Sequence, residues 1–144
     1  MKFQRMDHVG VVVSDLEAAK TFFLDIGLEM LGESEVEGDW VDRIIGLTDV
    51  KETVVMFGTP DGETKLELIK FHSPSAEKGI QPTLTTLGIT HIAFVVEDIE
   101  GIVAKLKKKD TATAGEIQHY KDIYKLCFVQ GPEGIILELA ERLK

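Results

Sequence analysis

His8, Glu67, His91 and Glu138 are the side chains whose types and spacing could do chemistry in this chain. Two imidazoles and two carboxylates brought to one point would repel one another or trap protons. A divalent cation removes that cost. Nitrogen and oxygen ligands without thiolate suit Ni, Zn, Co, Mn or Fe(II). With water completing a six-coordinate shell, substrate oxygens could displace the water, and the metal would polarise a carbonyl or stabilise an enediolate. A carboxylate at the metal could also move a proton, which makes Glu67 and Glu138 the candidate catalytic bases.

The elements that must position these groups occur twice. Asp7-His8-Val9-Gly10-Val11-Val12-Val13-Ser14-Asp15-Leu16 and Thr90-His91-Ile92-Ala93-Phe94-Val95-Val96-Glu97-Asp98-Ile99 share one pattern, with the histidines 83 positions apart. Self-similarity of this kind governs how the rest of a chain is read. Each copy alternates as a half-buried strand does, with the histidine on the face that carries the smallest neighbour, Gly10 or Ala93. The bulkier face can cover a helix. One such histidine is ordinarily a residue hydrogen-bonded locally at a strand start; two at equivalent places favour a shared role. The closing strands match as well, Lys65-Leu66-Glu67-Leu68 with Ile136-Leu137-Glu138-Leu139. The leucines must face one side and the glutamate the other. That glutamate is solvent-facing unless its face lines a cavity. If the sheets curl, all four groups can point inward.

Taken in order, Ser14 or Asp15 caps a helix that runs to about Asp25, with Gly27 ending it and Leu16, Ala19, Phe22, Phe23 and Ile26 on its buried stripe. Residues 28–36 read as a strand. Residues 40–50 have no counterpart in the second half; Trp40, Ile44, Ile45 and Leu47 suggest a short amphipathic helix or turn, either a substrate wall or a cap on the barrel end. Strands over 52–58 and 64–71 flank a Pro60-Asp61-Gly62 turn. Residues 72–87, with their prolines, serines and Gly79, read as a linker. The second half repeats the plan: a strand over 90–96, a helix from about 99 to 109 capped by Glu97-Asp98, and strands near 114–120, 124–130 and 135–140. The expected fold is α+β: two βαβββ modules, about 5–71 and 88–141, form a curved half-barrel of mixed sheet in one domain. Each module is too small to bury its own sheet face alone.

Composition narrows the function further. The 144 residues are 44% apolar and 28% charged, as in soluble globular domains. No apolar run approaches the roughly 20 residues that span a bilayer, and residues 1–6 lack the apolar core of a signal peptide. A net charge of −9 argues against nucleic-acid binding. The single Cys127 excludes an internal disulfide and reads as a buried thiol. Together these lead us to expect a cytoplasmic protein. His72 and His119 read as surface residues. Unpaired strand edges lead us to expect a homodimer, with the metal site inside one chain or shared between two.

Paired strand–helix–three-strand modules, each opening on a histidine strand and closing on a glutamate strand, resemble the vicinal oxygen chelate superfamily of glyoxalases, bleomycin-binding proteins and dioxygenases. The resemblance covers essentially the whole chain. It implies that His8, Glu67, His91 and Glu138 are the four metal positions, a set similar to that of small glyoxalase I enzymes. The activity it implies is lactoylglutathione lyase-like: isomerisation of a 2-oxoaldehyde–thiol hemithioacetal through a metal-stabilised enediolate, the substrate a small molecule and possibly a thiol adduct. Two other activities in the superfamily are alternatives. One is a methylmalonyl-CoA epimerase-like reaction. The other is metal-free binding of a drug-like molecule, for which Trp40, Phe57 and Tyr124 are the candidate cavity aromatics.

Overall fold

A computed structural model describes residues 1–110 and 112–143, which fall into two compact units, Met1–Lys78 and Gly79–Lys144. The boundary lies inside the stretch read as a linker. Among the described residues each unit holds one sheet of mixed strands with few helices, and neither sheet closes into a barrel.

The first unit runs β1 (His8–Val12), α1 (Leu16–Asp25), β2 (Glu29–Glu37), α2 (Asp39–Ile45), β3 (Lys51–Gly58) and β4 (Lys65–Ser73). Its sheet order is β1-β4-β3-β2, with β1 parallel to β4 and the other pairs antiparallel. The β1–α1 connection returns the chain along the sheet, and Asp15 caps α1 by accepting from the Ala18 amide at 3.0 Å. Gly27, at φ 102°, takes the left-handed conformation that stops the helix. Ala19, Phe22 and Phe23 are buried against Val55, Phe57, Leu66 and Leu68, which alternate onto one sheet face.

In the second unit β5 (Ile92–Val96) and α3 (Ile99–Lys109) are followed by β6 (Thr113–Ala114), β7 (Gln118–Tyr120), β8 (Tyr124–Gln130) and β9 (Ile136–Arg142). The order β5-β9-β8-β6 repeats that of the first unit, again with the opening strand parallel to the closing one. Asp98 caps α3 through the Gly101 amide. Ile99, Val103 and Leu106 bury against the face that carries Leu137, Leu139, Cys127 and Val129. The three lysines of the last turn, Lys107, Lys108 and Lys109, sit where the helix dipole favours cations.

Two expectations are refined. The strand near 114–120 is broken into β6 and β7, both paired with β8. Ala114 faces Val129 and Gln118 faces Leu126, so four steps on one strand oppose three on the other, the signature of a bulge. The amphipathic segment does form α2, but its inward residue is Val41. Trp40, Ile44, Ile45 and Leu47 stay exposed.

Candidate functional site

The register of the parallel pairs fixes where the chemistry-bearing groups sit. Gly10 lies opposite Glu67, and Ala93 opposite Glu138. His8 and His91 each stand two residues before those positions and therefore on the same face as the glutamate. That face is the one the helix does not cover. Along β1, His8, Gly10 and Val12 are all exposed, while Val9 and Val11 turn inward. A Cβ at Gly10 would meet Glu67 Oε1 at 3.9 Å and Ile69 at 3.5 Å, ordinary contact distances, so the position borders Glu67 without crowding it.

Each unit thus presents one imidazole beside one carboxylate. His8 Nε2 is 3.8 Å from Glu67 Oε2, and His91 Nε2 is 3.3 Å from Glu138 Oε2. The glutamates are the better covered partners, 21% and 24% exposed against 40% and 36% for the histidines. Two donors each about 2.1 Å from one ion lie about 3.0 Å apart at a right angle and about 4.2 Å apart when opposed. Both measured separations fall inside that span.

The other ring nitrogen of each histidine is held from behind. Asp7 Oδ2 lies 2.8 Å from His8 Nδ1, and a carboxylate can only accept, so Nδ1–H donates. In the neutral ring this leaves the Nε2 lone pair turned toward Glu67, an arrangement of two acceptors that calls for a proton or a cation between them. The carboxylate–histidine pair is also the usual way a metal-binding imidazole is oriented. The His8 hydrogen bond, with Lys65 and Arg5 nearby, holds the Asp7 carboxyl below its ordinary range. In the second unit Thr90 Oγ1 takes this place, 3.2 Å from His91 Nδ1. The sequence offered one signal for these supports, a polar residue directly before each histidine.

Further groups near these pairs were missed from the sequence. Phe128 lies opposite Glu138 in the antiparallel pair and meets the His91 ring edge-on, with centroids 5.3 Å apart. Glu52, only 8% exposed, is pushed up by burial and then by the charge of Glu67. The expectation for Phe57 is corrected. It is fully buried on the helix-covered face, packed on Phe23 with centroids 6.1 Å apart. Tyr124 is half-buried and Trp40 is exposed. His72 is surface-accessible but tied to Thr53 Oγ1 at 2.7 Å, while His119 is exposed. Cys127 is a buried free thiol, raised by desolvation and donating to the Gly115 carbonyl.

Among the described residues one acidic cluster, Asp98, Glu100 and Glu141, is compact enough to hold an ion. Its charges already have structural partners. Lys125 lies 2.6 Å from Glu100 and 3.3 Å from Glu141, Glu141 accepts from the Ile99 amide, and Asp98 caps α3. A cation there would compete with that lysine.

Paired βαβββ sheets with an uncovered His–Glu face define the glyoxalase-like class of fold. The chain belongs to the Glyoxalase/Bleomycin resistance protein/Dioxygenase superfamily, whose pattern matches residues 5–139. A glyoxalase family protein from Bacillus cereus is similar in structure at a TM-score of 0.94 and 38% identity, covering 100% of this chain and 97% of that one. The trypanothione-dependent glyoxalase I of Leishmania major is similar at a TM-score of 0.67 and 25% identity, over 96% of this chain and 87% of that one. Mitochondrial methylmalonyl-CoA epimerase of Mus musculus is 32% identical over 109 residues, 75% of this chain and 54% of the epimerase, so this chain spans about half of that relative.

Proposed function

We propose that this protein is a divalent-metal-dependent enzyme of the glyoxalase I type, in which His8, Glu67, His91 and Glu138 hold one cation. The observation that carries the reading is the duplication of a single geometry: in both units an imidazole Nε2 and a carboxylate oxygen face each other at a separation two ligands of one ion can adopt. When bound, the cation supplies Lewis acidity to a substrate carbonyl. The chain's own groups do the rest. Asp7 and Thr90 fix the imidazole orientations. Glu67 and Glu138 present carboxylates on the uncovered faces, where either can take a proton from a carbon next to the carbonyl and return it to its neighbour. The substrate class is a hemithioacetal of a 2-oxoaldehyde and a thiol. The enzyme is a homodimer of a reducing cytoplasm, in keeping with its free buried thiol; among the described residues no helix is long and apolar enough to cross a membrane.

The identity to the mouse epimerase favours a second reading, a proton transfer next to a thioester carbonyl. One panel separates the two. Protein reconstituted with Ni, Zn, Co, Mn or Fe(II) is assayed with methylglyoxal plus several thiols and, in parallel, with methylmalonyl-CoA. The expected result is turnover of a methylglyoxal hemithioacetal that disappears in His91→Ala together with the bound metal. Wild-type protein that takes up no metal after reconstitution would sink both readings, and ligand binding that chelators leave unchanged would favour the metal-free binding protein.

A further inference from the structure

The helix-covered face of the first sheet carries polar groups as well as its core. Val55, Phe57, Leu66 and Leu68 are buried there, and strand alternation places Thr53, Lys70 and His72 on the same face. Glu35 of the end strand β2 stands opposite Thr53 in the register. One side chain from each of three neighbouring strands therefore meets at a point: His72 of β4, Thr53 of β3 and Glu35 of β2. Thr53 Oγ1 lies 2.7 Å from His72 Nε2, and 2.8 and 3.0 Å from Glu35 Oε1 and Oε2. His72 Nε2 is 4.0 Å from Glu35 Oε2. None of the three belongs to the set His8, Glu67, His91 and Glu138. Glu67 alternates with Leu66 and Leu68 and so faces the other side of this sheet.

We infer that His72, Thr53 and Glu35 form a second metal site, separate from the proposed reaction centre, for a divalent cation of tetragonal preference, Cu(II) or Ni(II). Separations of 2.7, 3.0 and 4.0 Å are the sides of a triangle with its right angle at the hydroxyl. The midpoint between Nε2 and Oε2 is therefore about 2.0 Å from all three atoms, the usual bond length from a late first-row cation to nitrogen and oxygen donors. An ion at that midpoint has imidazole and carboxylate opposed and the hydroxyl at right angles to both. Such a tetragonal N,O arrangement suits Cu(II) or Ni(II) rather than tetrahedral Zn. The metal-free contacts already aim the donors. Nε2–H donates to the hydroxyl, which donates to a carboxylate that can only accept. The ion takes the place of the Nε2 proton, and the hydroxyl stays neutral. Thr53 is 6% exposed, which fixes its oxygen, while His72 and Glu35, 44% and 72% exposed, stay within reach of a solvated ion. Lys70, opposite Thr53, donates instead to the Ser14 carbonyl at 2.7 Å. With three protein donors the site fills after the four-residue set, and its ion ties the end strand β2 to β3 and β4.

The test uses Cu(II) as the probe. It is titrated into the full chain carrying His8→Ala and His91→Ala, which lacks both imidazoles of the other proposed site, and followed by electron paramagnetic resonance. The expected result is one tetragonal Cu(II) signal per chain with a single coupled imidazole nitrogen. In this background His72→Ala and Glu35→Gln should each weaken Cu(II) binding by about tenfold or more, read by competition with a chelator. Thr53→Val keeps the side-chain shape, and it should weaken binding less while altering the signal. His119→Ala, which removes the remaining histidine, should change nothing. Bound Cu(II) should slow amide hydrogen exchange over residues 33–37, and His72→Ala should remove that protection. In the chain with His8 and His91 intact, His72→Ala should lower copper uptake by one ion. A signal with no imidazole coupling, or one that persists unchanged in both His72→Ala and Glu35→Gln, would overturn the inference. The outcome is independent of the glyoxalase-type reading, because the variants that carry the test lack that reading's histidines.

Discussion

Asp7 shows how much of the proposed site rests on a residue outside the proposed ligand set. It orients His8, and it is itself gripped by Arg5 at 2.9 Å and Lys65 at 3.8 Å. Removing such a support typically costs 10–100-fold in metal affinity. We expect Asp7→Ala to weaken the proposed metal site by about 10-fold or more, read by competition with a chromogenic chelator, and Thr90→Ala to weaken it less, because a hydroxyl polarises the ring less than a carboxylate. Glu52 has the opposite electrostatic character to Asp7. A carboxyl raised in the folded state contributes stability that is complete below the ordinary carboxylate range and is lost as pH rises through the raised value. Burial and the Glu67 charge raise Glu52 in this way. Glu52→Gln should therefore raise Tm by a few degrees at pH 7 to 8 and have little effect near pH 4, as checked by thermal denaturation across pH. For Asp7, lowered in the fold, stability is present above the ordinary range and is lost as pH falls through the lowered value.

Among the elements, α2 and the segment after it are the part with no counterpart in the second unit. The segment is pinned by one side chain: the Asp42 carboxylate accepts from the Asp49 amide at 3.1 Å and from the Val50 amide at 2.8 Å, and Gly46 ends the helix in the left-handed region. Hydrogen bonds to a charged acceptor are each worth about 1.5–3 kcal/mol. Asp42→Ala removes both and is expected to destabilise the protein by about 3 kcal/mol or more in urea titration. The helix cores behave more conventionally. Phe23 has no exposed surface and packs between Phe22 and Phe57, so Phe23→Ala should cost about 3–5 kcal/mol. That sets a scale for comparison with changes on the uncovered face, where Val12 and Val95 are half or more exposed and truncation should cost little.

For the whole molecule, metal binding should be visible as stability. A ligand at about 100 times its Kd, bound only by the folded state, adds about 2.7 kcal/mol. For a domain of this size that is a rise in Tm of roughly 5 °C or more, which a chelator should reverse and which Glu138→Ala should abolish. The net charge of −9 adds to this argument. A surface this acidic raises local cation concentration. In their own sheets β1 and β2, and likewise β5 and β6, are the end strands. Analytical ultracentrifugation should find the proposed dimer.

What the sequence determined by itself was the duplication, the helix limits to within a residue (Ser14 or Asp15, Gly27, and Glu97 or Asp98), and the parity that sets each glutamate against its flanking leucines. These are local: a strand's alternation and a helix's caps are written in adjacent residues. Parity alone does not say which face a neighbouring strand presents. Met56 and Phe57 are both apolar, and a one-residue slip in the hairpin would exchange them; only the paired register put Phe57 in the core and Met56 opposite Glu67. That residues 83–85 line one cleft with Phe128 was equally illegible, because the cleft joins segments more than forty residues apart. The sequence thus named the candidate groups, and tertiary structure decided what stands behind and beside them.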